Sequence, residues 1–280
     1  MRWARGVLQA AGCDSPSLDA QLLLAHVLVW ERSGVLAHPE APLGDAAAER
    51  YRRLVARRAR REPLAYIVAR RAFWGMDLEV RPGVLVPRPE TETLVEQALA
   101  WALRRGGRTW GGVLADVGTG SGAVAVALAR ELPYARVWAT DTSPEALWVA
   151  QANARRYGVA HRIRVVQGEW LAPVQGPVDA IVSNPPYVPS GVLDRLAPEI
   201  ARYEPRRALD GGPDGLAAYR QLLPQAARAL SPGGAIFLEV GHDQADAVSD
   251  LLRGHFPGWR VVRFRDLGGH WRVVAAWCGA

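Results

Sequence analysis

Hydrophobic positions along this chain repeat in two ways, and the period changes near residue 108. Beyond that point, short apolar runs alternate with amphipathic stretches. Residues 113–117, 136–140, 162–166, 178–182 and 235–240 read as strands, rich in Val, Ile and Ala. Residues 123–131, 146–157, 217–230 and 244–253 carry apolar positions at helical spacing between them. Strand and helix in alternation predict a parallel sheet with helices on its faces. Residues 259–265 and 270–277 alternate with a period of two and predict a closing antiparallel pair.

The first part of the chain has the helical period alone. Residues 1–72 read as a small helical domain. Asp14-Ser15-Pro16 is a helix start, with Ser15 as cap and Pro16 in the first turn. Behind it Leu18, Leu22, Leu23, Ala25, His26, Val27 and Val29 form an apolar face. A second helix follows Gly44-Asp45 and runs through Arg61, with Ala46, Ala47, Tyr51, Leu54 and Val55 turned inward. Its other face carries Arg50, Arg52, Arg53, Arg57, Arg58, Arg60 and Arg61. Such a run is read as a solvated face in preference to a patch for a phosphate-rich partner. Pro63 stops this helix, and a short one covers residues 64–71.

Residues 73–107 connect the two parts. Phe73 to Val80 alternates, Arg81-Pro82-Gly83 is a turn signal and Val84-Leu85-Val86 follows, so a β-hairpin is expected across residues 73–86. Pro87-Arg88-Pro89-Glu90-Thr91-Glu92 then punctuates the entry to a helix over residues 91–104, which Gly106-Gly107 ends. Glu90 and Glu92 are read as capping that helix. The remaining residues, 108–280, form the α/β domain.

With 280 residues and 49% hydrophobic content the chain can fill two cores. Its only cysteines, Cys13 and Cys278, lie far apart, which excludes a disulfide framework and points to a reducing compartment. Neither they nor the six histidines form a nucleophile set or a metal site. No apolar run is long enough to span a membrane and no signal-peptide core opens the sequence, so a soluble cytoplasmic protein is expected. The formal net charge is +6 and every basic side chain is Arg, which permits an acidic partner.

Two stretches at strand ends carry chemistry. Ser183-Asn184-Pro185-Pro186-Tyr187 follows the strand at 178–182. Ligands of open α/β sheets bind outside the carboxyl ends of strands. Asn offers a carbonyl acceptor beside an amino donor, proline fixes carbonyl directions, and Tyr supplies a flat face. Together they can grip a planar NH2 group, its hydrogens on carbonyl oxygens and its lone pair outward. The other stretch is Asp116-Val117-Gly118-Thr119-Gly120-Ser121-Gly122, between a strand and a helix. Its third glycine comes one residue earlier than in the dinucleotide fingerprint G-x-G-x-x-G. Asp141 ends the next strand, where a carboxylate accepts from ribose hydroxyls. A ribose-binding acid without a clear pyrophosphate clamp suggests a nucleoside cofactor that lacks phosphates, whose positive end Asp116 would meet.

The Asp116 to Gly122 stretch with Asp141 resembles the class I methyltransferases that use S-adenosylmethionine. Asn184-Pro185-Pro186-Tyr187 resembles the signature of those that methylate planar amine or amide nitrogens. The chain is most similar to the release factor glutamine methyltransferase family (HemK/PrmC-like). That likeness extends through Arg61-Glu62-Pro63-Leu64-Ala65-Tyr66-Ile67, Phe73-Trp74-Gly75, the stretch Pro87 to Glu92, Glu204-Pro205, Ala208-Leu209-Asp210-Gly211-Gly212, Asp214-Gly215-Leu216, Glu239-Val240-Gly241 and Gln244. One departure is Ala69-Arg70-Arg71, where the family often has Gly before a basic residue. The resemblance implies a Rossmann-like sheet with a small N-terminal helical bundle joined by a β-hairpin. It implies that Gly118, Thr119, Gly120, Ser121, Gly122 and Asp141 bind S-adenosylmethionine and that Asn184 touches both cofactor and substrate. Pro185, Pro186 and Tyr187 would complete a glutamine site, with Asn184, Pro185 and Tyr187 acting in catalysis. Trp170 would flank the adenine, although a core Trp fits the sequence equally well. The implied partner is a class I peptide release factor, methylated on its Gly-Gly-Gln glutamine by a monomeric enzyme with no need of nucleic acid. The rival reading is a DNA or RNA adenine methyltransferase, whose exocyclic amine suits the same grip after base flipping. A non-catalytic adapter is the third.

Overall fold

The computed structural model describes residues 1–279. In chain order its helices are α1 (Arg2–Ala10), α2 (Pro16–Leu28), α3 (Arg32–Ala37), α4 (Asp45–Ala59), α5 (Leu64–Val68), α6 (Glu92–Gly106), α7 (Ala123–Glu131), α8 (Pro144–Arg156), α9 (Pro198–Tyr203), α10 (Ala217–Ala229) and α11 (Ala245–His255). The strands are β1 (Arg70–Phe73), β2 (Met76–Glu79), β3 (Val113–Val117), β4 (Arg136–Asp141), β5 (Ile163–Gln167), β6 (Val178–Ser183), β7 (Leu230–Glu239), β8 (Arg260–Arg265) and β9 (Trp271–Trp277). They fall into two compact units. One comprises Met1–Arg70 with Leu196–Tyr203, and the other Arg71–Arg195 with Glu204–Ala280.

The first unit is all helical. Its core gathers Ala4 and Leu8 of α1, Ala20, Leu23 and Val27 of α2, Tyr51 and Val55 of α4 and Ile67 of α5. Pro16 stands at the first position of α2, but the Ser15 side chain makes no capping bond. The apolar stripe of α2 is narrower than its sequence suggests: Leu18 is partly exposed, and Val29 lies outside the helix, 89% exposed. Ala46 of α4 is exposed as well.

The arginine run of α4 does not form one solvated face. Arg58 is buried, donating to Asp19 Oδ2 at 2.7 Å and to Glu199 Oε1 at 2.8 Å. Arg61 makes two further bonds to Glu199, each 2.7 Å. Arg57 pairs with Glu62, donating from Nε at 2.9 Å. Charge pattern alone could not show this, because Asp19 and Glu199 are distant in sequence and meet these arginines only in the fold. Arg50, Arg52, Arg53 and Arg60 are exposed as expected.

The second unit is built on a seven-stranded sheet in the order β5-β4-β3-β6-β7-β9-β8. Strands β5 to β7 are parallel along that order, and β9 and β8 close it antiparallel. The strict alternation of the central strands explains its two cores. Leu114, Ala180, Val182, Ala235 and Phe237 pack on one face, with α6 and α7. Ala115, Val117, Ile181, Ile236 and Leu238 pack on the other, with α10 and α11. From β3 the chain crosses to β4 and β5 on one side, then returns to β6 on the other. The order therefore reverses between β3 and β6, the place where such sheets open a crevice.

The hairpin differs from its expected form. Its strands are β1 and β2, and the connection is Trp74-Gly75, not Arg81-Pro82-Gly83. Both connecting residues have positive φ, 50° and 64°, the requirement of a type I′ turn. Alternation from Phe73 to Val80 hid this turn, because a Trp at positive φ gives no turn signal in sequence. Among the described residues, no helix is long and apolar enough to cross a membrane.

Candidate active site

Four strand ends converge on one cavity of about 330 Å3 in the second unit. After β3 come Gly118 to Gly122, where all three glycines have positive φ, 74°, 54° and 78°. Their reasons differ. A Cβ on Gly122 would lie 2.9 Å from the Ala150 backbone, so that glycine lets α7 start against α8. A Cβ on Gly120 would meet nothing within 4 Å, and one on Gly118 would reach only the Asn184 carbonyl at 4.0 Å. Both line the cavity, so their bare backbone is open to a ligand.

The loop is tied down from two sides. The Gly118 and Thr119 amides donate to the Thr140 carbonyl at 2.9 Å. Asp116 Oδ2 accepts from Thr119 Oγ1 at 2.6 Å and from the Ala125 amide at 3.0 Å, joining the loop to α7. Burial pushes the Asp116 carboxyl up to about 7, the two donors opposing that rise. At the end of β4, Asp141 accepts from the Gly120 amide through Oδ2 and from the Ser143 amide through Oδ1, each at 2.9 Å. A carboxylate has about four lone-pair directions. Two remain for hydroxyl donors, and Asp141 lines the cavity.

Past β5, Trp170 adopts a left-handed φ of 50°. Its carbonyl accepts from Thr140 Oγ1 at 2.8 Å and its indole donates to Gln221 at 3.0 Å. It packs on the apolar core and also lines the cavity. Past β6, Asn184 lines the cavity and its Nδ2 donates to Thr91 Oγ1 at 3.2 Å. Pro186 lines the cavity as well.

Of the residues singled out in the sequence, Gly118, Thr119, Gly120, Ser121, Asp141, Trp170, Asn184 and Pro186 surround this space. Gly122, Pro185 and Tyr187 do not. Pro185 is buried, and the Tyr187 hydroxyl donates to Glu239 Oε1 at 3.4 Å.

The cavity also has walls that pattern reading did not supply. Arg88 lines it and is held by the buried Glu204 at 2.7 Å. Arg207 lines it and bonds to Ser143 Oγ and to Glu145. Both cations near the cavity thus have carboxylate partners. Thr91 contributes from the turn before α6. The Pro-Glu-Thr-Glu sequence was the available signal for Thr91, but its partners are remote in sequence. Glu92 does not cap α6; its Oε1 accepts from the Trp74 amide at 2.8 Å and so fixes the hairpin turn. Glu90 is exposed.

Comparison with known proteins points one way. The family model described as "PrmC N-terminal domain" matches residues 1–68, and "Methyltransferase small domain" matches residues 94–202. The release factor glutamine methyltransferase of Moorella thermoacetica is 49% identical over 88% of this chain and 86% of its own length. That of Caulobacter vibrioides is 41% identical over 97% of this chain and 92% of its own. Among solved structures, a methyltransferase from Pyrococcus furiosus is similar with a TM-score of 0.54 at 25% identity, covering 80% of this chain and 99% of that one.

Proposed function

The chain belongs to the release factor glutamine methyltransferase family, and from that premise we propose that its cavity binds S-adenosylmethionine beside the glutamine of a release factor's Gly-Gly-Gln loop. The observation that carries this reading is the convergence of Gly118, Gly120, Asp141 and Asn184 on one space at the reversal of strand order. The donor set fits the cofactor. Asp141 has acceptor capacity for two ribose hydroxyls, bare glycine backbone gives close approach, and Trp170 offers an apolar wall for adenine. Arg88 and Arg207 are both paired with carboxylates, which suits a nucleoside better than a pyrophosphate.

Bound S-adenosylmethionine supplies a methyl group activated by its sulfonium. The protein's task is then placement, which can contribute roughly 7–11 kcal/mol. An amide nitrogen is a weak nucleophile because its lone pair is delocalised. The Asn184 side-chain oxygen, which faces the cavity in this reading, accepts an amide hydrogen, raises the electron density on nitrogen and aims it. The sulfonium held beside Asn184 would leave as a neutral thioether, and the methylated nitrogen would lose its extra proton to water. No strong base is required. Residues 1–72 serve as the docking domain for the release factor, residues 73–107 as the connection and residues 108–280 as the methyl-transfer domain. Docking supplies binding energy that a single glutamine cannot.

Methyl transfer from labelled cofactor tests the reading. Purified release factor should be labelled, and replacing its Gly-Gly-Gln glutamine with alanine should abolish the label. Stronger labelling of DNA adenine would favour the rival. In calorimetry, Asp141→Ala should weaken cofactor binding by about 2–4 kcal/mol; unchanged affinity would remove Asp141 from the site.

A further inference from the structure

Behind Asn184 lies a polar group that the reaction scheme above does not use. Ser183 of β6 is paired with Leu238 of β7, so the next residues, Asn184 and Glu239, leave adjacent strand ends side by side. Glu239 is wholly buried, and its Oε2 has no hydrogen-bond partner among the described residues. Its Oε1 accepts from the Tyr187 hydroxyl at 3.4 Å, and its backbone carbonyl accepts from Tyr219 at 2.8 Å. Thr91 lies near the same carboxyl and, with the Arg272 charge, favours its charged form against burial. Thr91 Oγ1 is also the acceptor for Asn184 Nδ2, at 3.2 Å.

We propose that Thr91 and Glu239 are positioning residues that set which end of the Asn184 amide faces the substrate. A side-chain amide is a donor at one end and an acceptor at the other, and the two ends are nearly the same shape. Gripping an NH2 group requires the oxygen to face it. A hydroxyl that donates to Glu239 has its lone pairs free and can accept from Asn184, so the amide nitrogen turns toward Thr91 and the oxygen toward the cavity. A hydroxyl without that acceptor can donate to Asn184 instead, and the amide then presents its NH2 to the substrate. In its charged form the carboxylate can only accept, and in that form it gives the chain of bonds a single direction. Orphaned Oε2 is consistent with this: the site retains acceptor capacity and places no competing donor beside Thr91.

The inference rests on the glutamine methyltransferase reading, and steady-state methyl transfer with the full chain separates the two. If the wild-type protein fails to label release factor glutamine, that reading fails. If it succeeds, three variants decide the role of the chain of bonds. Glu239→Gln puts an NH2 donor beside Thr91, and Thr91→Val removes the hydroxyl at constant shape. Each should lower kcat by roughly 10- to 100-fold while the Kd for cofactor is unchanged. Thr91→Ser restores a hydroxyl and should recover most of the turnover lost in Thr91→Val. Wild-type kcat in both Glu239→Gln and Thr91→Val would overturn the proposal. So would a Thr91→Ser no better than Thr91→Val, since packing and not the hydroxyl would then be at issue. Should Glu239→Gln fail to fold, the Thr91 pair alone gives the answer.

Discussion

Two glutamates, one half-buried and one wholly buried, are treated in opposite ways. Glu199 in the helical unit receives three charge-assisted bonds from Arg58 and Arg61. Burial alone would raise its pKa, but those bonds outweigh it and hold the carboxyl at about 2. Glu239 in the sheet unit has the Tyr187 hydroxyl, Thr91 and a more distant Arg272 charge, and one oxygen with no partner. There burial dominates and pushes the carboxyl up to about 7. The acid of the helical cluster has its charge matched. One kept beside a site is left under-satisfied, at a cost in stability, as perturbed acids near functional sites often are.

The largest effect should come from breaking the matched cluster. Arg58→Ala leaves Asp19 and Glu199 facing a void, and losing one partner of a buried pair costs about 3–5 kcal/mol. Amide hydrogen exchange across α2 and α4 should speed up accordingly. Exchange rates unchanged there would show that the cluster is not what holds those helices.

Asn184→Ala should act in the opposite sense, on turnover and not on fold. Loss of a donor or acceptor aimed at the reacting group costs about 100- to 1,000-fold in kcat. Thermal unfolding and cofactor affinity should change little. A variant with near-normal turnover would contradict the grip on the amide.

The glutamates should also give opposite pH slopes. The folded-state pKa of Glu199 lies below its ordinary 4.5, so its stabilisation is present above that value and is lost as pH falls from about 4.5 toward 2. Glu239 is raised above 4.5, so the folded protein binds the extra proton between about 4.5 and 7. Its contribution to stability therefore declines as pH rises through that window. Thermal midpoints against pH should show a shallower lower slope in Glu199→Gln and a shallower upper one in Glu239→Gln, where Asp116 still contributes. The same slopes in variant and wild type would remove either assignment.

The smallest effect is expected at Arg53, which sits 3.5 Å from Glu49 on the exposed side of α4. Exposed pairs at this spacing are worth about 0.3–0.5 kcal/mol, so Arg53→Ala should be close to neutral in urea unfolding. Set beside Arg58→Ala, it measures how unequal neighbouring charges of one run can be.

That inequality marks the limit of pattern reading. Strand β3 and helix α7 have the bounds that alternation and helical spacing predict, 113–117 and 123–131, because a residue's period is a local property of the chain. The glycine loop and Asp141 were legible for the same reason: each lies directly after a strand whose end the pattern marks. The Trp74-Gly75 turn was not legible, since Trp is held at positive φ by its surroundings, with its amide bonded to Glu92 and its indole to Glu131.

By itself the sequence determined the alternating sheet, the helical first unit, the residues at the strand ends and, through its likeness to a family, the chemistry to expect there. Only the tertiary structure decided that Arg58 is buried while Arg53 is not, that Gly122 serves packing while Gly120 faces open space, and that Thr91 accepts from Asn184. Thr91 and Asn184 are separated by 93 positions, and Asn184 and Glu239 come together because β6 and β7 end side by side. Periodicity is written in neighbouring residues, whereas burial, partners and the direction of a hydrogen bond depend on which distant segments the fold brings into contact.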